Sequence, residues 1–143
     1  MRRWIWIALT IAVLACGRSP DRDLPAAYRD LAVPREILDS EMARAEGAVS
    51  YSRYCAHCHG ERGDGHGARV SALSTPPRDF TDRGWQQRTS DRHLFFVIRE
   101  GVRGTAMPAW RSLSDEQAWE LVVFIRSLGV AKGEGEPGVS ENH

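Results

Sequence analysis

This sequence contains few cysteines and no excess of positive or negative charge. Three cysteines in 143 residues are too few for a disulfide-rich scaffold. Lysine and arginine together number 19, and aspartate and glutamate also number 19, so the formal net charge is zero. A chain without a basic excess lacks the attraction to phosphate on which nucleic-acid binding depends. The composition therefore argues against a nucleic-acid partner.

The chain is also short, and its sequence shows no strand pattern. A chain of 143 residues has no room for a dinucleotide-binding dehydrogenase or a barrel enzyme. No stretch alternates between apolar and polar residues as a half-buried strand does. Hydrophobic residues make up 42% of the chain, which is enough to build a core. The sequence predicts one all-α domain with long loops, and a bulky cofactor would fill the middle of such a domain.

The N-terminus carries the features of an export signal. Arg2 and Arg3 are followed by an uncharged, almost wholly apolar run from Trp4 to Ala15. This run is shorter than the roughly 20 residues that cross a bilayer. A basic start and a short apolar run are typical of a secretory signal. We predict that residues 1–15 are a signal peptide.

The apolar run ends in the sequence Val13-Leu14-Ala15-Cys16-Gly17. This resembles a bacterial lipobox, in which the cysteine is lipidated and becomes the mature N-terminus. We therefore predict a lipoprotein anchored through Cys16 on the periplasmic side of a bacterial membrane, because a cysteine that carries more than one acyl chain anchors stably. The alternative is ordinary cleavage nearby, which would leave a soluble periplasmic protein.

Composition divides the rest of the chain into three parts. Residues 16–35 contain three prolines and scattered charges without an apolar period, which is typical of a flexible tether. Residues 36–131 form the predicted domain, and residues 132–143 form a polar, flexible tail. Within the domain we predict a first helix over residues 37–54, with Met42, Ala45 and Val49 on one face, and a second over residues 91–100.

Capping signals mark the ends of the second helix and of a third. Ser90 is the predicted N-cap of the second helix, and Gly101 is its predicted stop. Ser114 and Gln117 form a capping box at the start of the third helix, which Gly129 is predicted to end. An apolar stripe runs along this third helix and consists of Ala118, Leu121, Val122, Ile125 and Leu128.

The chemistry is concentrated in Cys55-Ala56-His57-Cys58-His59. C-x-x-C-H is the attachment signature of c-type haem. Thiols three residues apart lie on one side of a helical turn, where they can reach the two vinyl groups of one haem, and His59 can bind the iron. We predict one covalently bound haem c. The alternatives are half of a zinc site, which would need four ligands, and a redox dithiol, for which no βαβ pattern is present.

An iron that serves electron transfer needs a second axial ligand. Met107 lies in the loop between the second and third predicted helices, in the sequence Gly104-Thr105-Ala106-Met107-Pro108. Glycine lets this loop approach the haem, and proline stiffens it. We predict Met107 as the distal ligand of the iron.

These motifs together resemble the class I c-type cytochromes, small monohaem electron carriers. The resemblance extends from about residue 43 to residue 128. It implies a fold in which the first and last helices cross around the haem, with Gly47, Tyr51 and Phe124 at the crossing. It also implies a hydrogen bond from His59 to a proline carbonyl, for which Pro76 and Pro77 are both candidates. For the haem propionates the candidate partners are Arg78, Trp85, Arg99 and Arg103.

The resemblance implies an electron carrier rather than an enzyme, monomeric when free, with a redox protein as donor and another as acceptor. A second hypothesis is a haem subunit permanently docked in a larger oxidoreductase. A third is a ligand-binding sensor or peroxidase with an open iron site, although the sequence shows no evident distal acid–base pair. A fourth, a zinc-binding module, would give a colourless protein.

Overall fold

A computed structural model describes residues 20–131 of the chain. The predicted signal peptide, Cys16 and the tail from residue 132 lie outside these described residues. Every regular element between residues 20 and 131 is helical, which confirms the all-α prediction. No helix in this part of the chain has the length and apolarity to cross a membrane. The helices are α1 (Ala26–Arg29), α2 (Arg35–Leu38), α3 (Glu41–Tyr54), α4 (Ala56–His59), α5 (Arg83–Arg88), α6 (Asp91–Glu100) and α7 (Asp115–Ala131), with a 3-10 turn at Val70–Ala72.

The first predicted helix is divided in two, and its buried face differs from the prediction. Ser40 interrupts it, and the Ser40 hydroxyl caps α3 by accepting a hydrogen bond from the Ala43 N–H. The apolar face predicted from Met42 and Val49 was wrong, because these side chains are 76% and 59% exposed. The buried face of α3 instead carries Ala43, Gly47 and Tyr51. A residue with a side chain does not fit at Gly47, because α7 approaches the backbone closely there.

The close approach of α3 to α7 is the main helix contact of the domain. A Cβ atom on Gly47 would lie 2.1 Å from the carbonyl oxygen of Glu120 and 3.0 Å from Cβ of Phe124. One turn later, the rings of Tyr51 and Phe124 meet with their centroids 4.9 Å apart. The contact that the family resemblance implied between Gly47, Tyr51 and Phe124 is therefore present.

The predicted caps of α6 and α7 are confirmed, but the predicted end of α7 is not. Ser90 accepts a hydrogen bond from the N–H of His93, and Gly101 ends α6 with φ at +68°. Ser114 and Gln117 exchange backbone-to-side-chain hydrogen bonds of 3.0 and 3.1 Å. Gly129, however, lies inside α7. A Cβ atom there would lie 2.7 Å from Cγ of Gln86, so this glycine serves packing against Gln86 rather than helix termination.

Residues 20–33, which we call the N-terminal strap, lie against α6. Tyr28 packs edge-on against Phe96 with ring centroids 4.9 Å apart, and its hydroxyl donates a 2.6 Å hydrogen bond to Glu100. Leu24 is buried. This differs from the flexible tether predicted over residues 16–35, because apolar residues too sparse to show a period still bury their side chains against another helix.

Polar contacts hold the start of the strap at the N-terminus of α6. The Ser90 hydroxyl donates a hydrogen bond to the Asp21 carboxylate, and Arg92 pairs with the same carboxylate at 3.4 Å. The Arg92 Nε–H also donates to the carbonyl oxygen of Leu31 at 2.8 Å. The packed part of the chain therefore begins by Asp21.

We predict that Gly47→Ala destabilises the holoprotein by about 1–3 kcal/mol or more, the usual cost of overpacking a tight core contact. The reason is the 2.1 Å approach to Glu120, which outweighs the gain of about 1 kcal/mol in helix propensity. Denaturant unfolding measures the change. Gly84→Ala in α5 is the matched control, since its Cβ would meet only the mobile end of Arg88 at 3.0 Å and Asp82 at 3.3 Å. Equal stability of the two variants would contradict the prediction.

Candidate haem site

A cavity of about 480 Å³ lies between α4, α6 and the loop that precedes α7. Its volume is within the range of sites that enclose organic ligands. Cys55, Cys58, His59 and Met107, which the sequence analysis singled out, all line this cavity. Its apolar walls include Leu73, Phe80, Trp85, Leu94, Val97, Ile98, Val102, Trp110 and Ile125.

The two cysteines and the histidine share one helical turn. The backbone N–H groups of Cys58 and His59 both donate to the carbonyl oxygen of Cys55, at 3.1 and 2.9 Å. Both cysteine side chains are half-buried. This turn brings two thiols and one imidazole to the same cavity wall, as attachment of one haem by C-x-x-C-H requires.

Burial of the Cys55 side chain bears on the alternatives to haem attachment. Burial, and to a smaller extent the neighbouring Cys58, raises the pKa of the Cys55 thiol to about 12. A redox dithiol reacts through a thiolate and so needs a lowered pKa. Among residues 20–131, moreover, no group of three or more His, Cys, Asp or Glu side chains is placed to hold a metal ion. The cavity therefore fits a haem better than zinc or disulfide exchange.

His59 is buried and held from two sides. Its ring stacks on Phe80 with centroids 4.4 Å apart and an angle of 16° between the planes. Its Nδ1 lies 3.2 Å from the carbonyl oxygen of Arg78. Because a carbonyl only accepts, Nδ1 carries the proton and Nε2 keeps its lone pair. Burial also lowers the pKa of His59, so the neutral imidazole that binds a metal is favoured.

The carbonyl that orients His59 was assigned wrongly from the sequence. Pro76 and Pro77 were the candidates, and both line the cavity, but the acceptor is the carbonyl of Arg78. Pro77 precedes Arg78 directly. The path of this loop, and hence which carbonyl faces His59, depends on contacts that are distant in the sequence.

Tyr51 connects the helix crossing to the cavity. It is fully buried, and its hydroxyl donates a 2.8 Å hydrogen bond to the carbonyl oxygen of Gly60, the residue after His59. Burial raises the pKa of Tyr51, so the hydroxyl remains a donor. Gly60 itself has φ at +82°, and a Cβ there would lie 2.5 Å from Oδ1 of Asp64. The hydrogen bond from Tyr51 and the positive φ of Gly60 therefore fix the direction of the backbone after α4.

Met107 lies in the loop between α6 and α7, partly buried at the cavity wall. The Val102 N–H donates to its carbonyl oxygen at 3.2 Å, and its own N–H donates to Oγ1 of Thr105 at 3.2 Å. A Cβ on Gly101 would lie 2.7 Å from the Met107 carbonyl. The loop is thus compact, and it brings the thioether into the same cavity as His59.

The four candidate partners of the propionates do not lie together. Arg78 and Trp85 both line the cavity, and the Arg78 guanidinium lies 5.6 Å from the centre of the Trp85 ring. Arg99 and Arg103 are not among the residues that line it. Arg99 donates instead to carbonyls of the loop before α7, and Arg103 is exposed. Arg99 and Arg103 are therefore not cavity-wall residues, and their role toward the propionates stays a prediction.

Several cavity residues were not predicted from the sequence, and one of them is a histidine. His93 lines the cavity, although no motif in the sequence singled it out. The spacing along α6 could have predicted this position, because His93 lies one helical turn before Val97, which is also a cavity residue.

Comparisons with known proteins agree with this site. The family described as "Cytochrome C oxidase, cbb3-type, subunit III" matches residues 43–125, which is more than half of the chain. The chain is 29% identical over 126 residues to the Cbb3-type cytochrome c oxidase subunit CcoP of Azospirillum brasilense, covering 85% of this chain and 42% of that protein. It is 31% identical over 90 residues to the subunit of the same name from Azospirillum sp. (strain B510), covering 62% and 29%.

A solved structure gives a further comparison. The fold resembles a chain of the Kuenenia stuttgartiensis reducing HAO-like protein complex Kustc0457/Kustc0458, with a TM-score of 0.56 and 28% identity. The alignment covers 75% of this chain and 49% of that one. The chain thus spans less than half the length of each of these relatives.

The match includes the C-x-x-C-H turn and Met107, and the cavity walls between them are apolar. The chain therefore belongs to the cbb3-type cytochrome c oxidase subunit III family: it is a c-type cytochrome that binds one haem c covalently, and Cys55 and Cys58 fit the attachment motif.

Proposed function

We propose that this protein is a membrane-tethered periplasmic electron carrier whose haem iron is ligated by His59 and Met107. The observation that supports this most strongly is the shared cavity, into which two thiols, a neutral imidazole and a thioether converge within apolar walls. Imidazole with thioether is a ligand set of electron-transfer haems. The haem supplies a one-electron couple between ferrous and ferric iron.

The protein's own residues would keep electron transfer at the iron fast and the reduction potential of the iron high. A carrier reorganises little when the same side chains ligate the iron in both oxidation states. The stacked Phe80 ring and the Arg78 carbonyl hold His59 in one orientation, and the loop hydrogen bonds of Met107 hold the other ligand. The apolar walls exclude water and disfavour the extra positive charge of the oxidised form, which raises the reduction potential.

The N-terminal strap bears on how far the domain would reach from a membrane. If Cys16 carries the lipid, Asp21, which is held against α6, follows five residues later. Five extended residues span at most about 18 Å. The domain would then stay close to the membrane surface, and a partner would have to reach it there.

A docked haem subunit is the second candidate function. Both relatives from Azospirillum are named as subunits of an oxidase, and the solved structure is that of a protein complex. On this proposal the chain stays bound to a larger oxidoreductase and passes electrons within it. The free carrier would instead be a monomer that exchanges donors and acceptors.

The ligation proposal is tested with carbon monoxide and the full chain, expressed in a host that attaches haem c. We predict that the reduced wild-type protein keeps its six-coordinate visible spectrum in carbon monoxide. Met107→Ala should bind carbon monoxide, because the variant leaves a coordination position open. Met42→Ala, at the exposed start of α3, is the matched control and should behave as wild type.

Ready binding of carbon monoxide by the wild-type protein would contradict ligation by Met107. That outcome would favour a ligand-binding sensor or a peroxidase over an electron carrier.

The anchoring proposal is tested by the mass of the mature protein and by its location. We predict that the wild-type mature chain begins at Cys16 with acyl chains attached and sediments with membranes. Cys16→Ala should remove the lipid and release the protein to the soluble periplasmic fraction, whereas Ser19→Ala should leave anchoring unchanged. An unlipidated wild-type N-terminus would refute the anchor. Cys16→Ala protein that stays on membranes until salt or detergent extracts it would support the docked subunit.

A further inference from the structure

The loop from Gly101 to Ser114 joins α6 to α7 and carries Met107. Its backbone is attached to α6 at one point near Met107, where the N–H of Trp110 donates to the carbonyl oxygen of Ile98 at 2.9 Å. The Trp110 ring packs on Tyr54, with centroids 5.1 Å apart, and both rings line the cavity. Movement of the segment around Trp110 would therefore open the cavity beside Met107.

Arg99 is placed to prevent that movement. It lies in the last turn of α6, and its side chain is only 21% exposed. Its Nη1 donates to the carbonyl oxygens of Trp110, at 3.4 Å, and of Leu113. Its Nη2 lies 3.4 Å from Oδ1 of Asp115, at the start of α7. One guanidinium thus joins α6, the loop and α7.

The other charged contact of this loop is weaker. Arg111 pairs with Glu100, but the Arg111 side chain is 71% exposed, and exposed ion pairs contribute little. The Arg99 contacts are partly buried, where a charged donor makes a stronger hydrogen bond than a neutral one. A guanidinium can also serve several acceptors at fixed angles, which the single ammonium group of lysine cannot.

We propose that Arg99 is a positioning residue that holds the Met107 loop closed over the haem cavity and so limits access of external ligands to the iron. This rests on the proposed ligation by Met107. Arg99 touches neither the cavity nor its ligands; it acts through the carbonyls of Trp110 and Leu113. The loop would open when these hydrogen bonds break, and Met107 would then leave the iron more readily.

The test is the affinity of the reduced full-length holoprotein for carbon monoxide. Arg99→Met keeps the aliphatic stem and removes the donors, and we expect carbon monoxide affinity to rise by about tenfold or more, in proportion to the loss of one charged hydrogen bond. Arg99→Lys should give an intermediate rise. Asp115→Asn should change the affinity by less than about twofold, because its carboxylate is exposed. Arg44→Met, in the exposed Glu41–Arg44 ion pair of α3, is the control and should match wild type.

Amide hydrogen exchange of residues 102–113 gives a second readout that does not depend on the iron ligand. Arg99→Met should accelerate exchange in this loop and leave α3 unchanged. When the wild-type iron is closed, a carbon monoxide affinity of Arg99→Met equal to wild type would overturn the proposal, and so would an unchanged loop exchange rate. Uniformly faster exchange throughout the domain would also overturn it, since that result shows a general structural role.

The two proposals can fail separately. If the wild-type protein already binds carbon monoxide freely, ligation by Met107 fails, and loop exchange alone decides the role of Arg99. If the wild-type iron is closed and Arg99→Met leaves it closed, the positioning role fails and the ligation stands. If Arg99→Met does not fold, Arg99→Lys carries the test, and wild-type values for that folded variant count against the proposal.

Discussion

The contact between Gly47 and the backbone of α7 is the constraint on which the rest of the structure depends. Because no side chain separates the two helices there, Glu120 comes within 2.1 Å of where a Cβ would be. This approach places Tyr51 against Phe124. The Tyr51 hydroxyl then holds the carbonyl of Gly60, directly after His59. A helix crossing thereby sets the position of the imidazole that faces the cavity.

Residues that line the cavity are also residues of the hydrophobic core of the domain. Leu94 and Ile98 are buried residues of α6 and also line the cavity. Phe80 packs on Tyr51 and stacks on His59. A residue that stabilises the fold therefore also controls the surroundings of the iron. Burial lowers the pKa of His59, which favours the neutral imidazole that binds a metal.

The N-terminal strap and Arg99 each attach another segment of the chain to α6. Tyr28 and Asp21 attach the strap to this helix, whereas Arg99 attaches the loop before α7. The helix that forms one wall of the cavity is therefore braced by segments before and after it in the chain. Since the strap occupies part of the stretch that would otherwise be a free linker, it also bears on how far the domain extends from its predicted anchor.

Local signals in the sequence determined the haem attachment turn, the caps at Ser90 and Ser114, and the all-α class, because each depends on residues within one or two helical turns. The family resemblance added the contact of Gly47 with α7. Only the tertiary structure decided which face of α3 is buried, that Arg78 rather than Pro76 or Pro77 orients His59, and that Arg99 points to loop carbonyls. These features depend on groups that are distant in the sequence and meet only when the helices pack, so no local pattern encodes them.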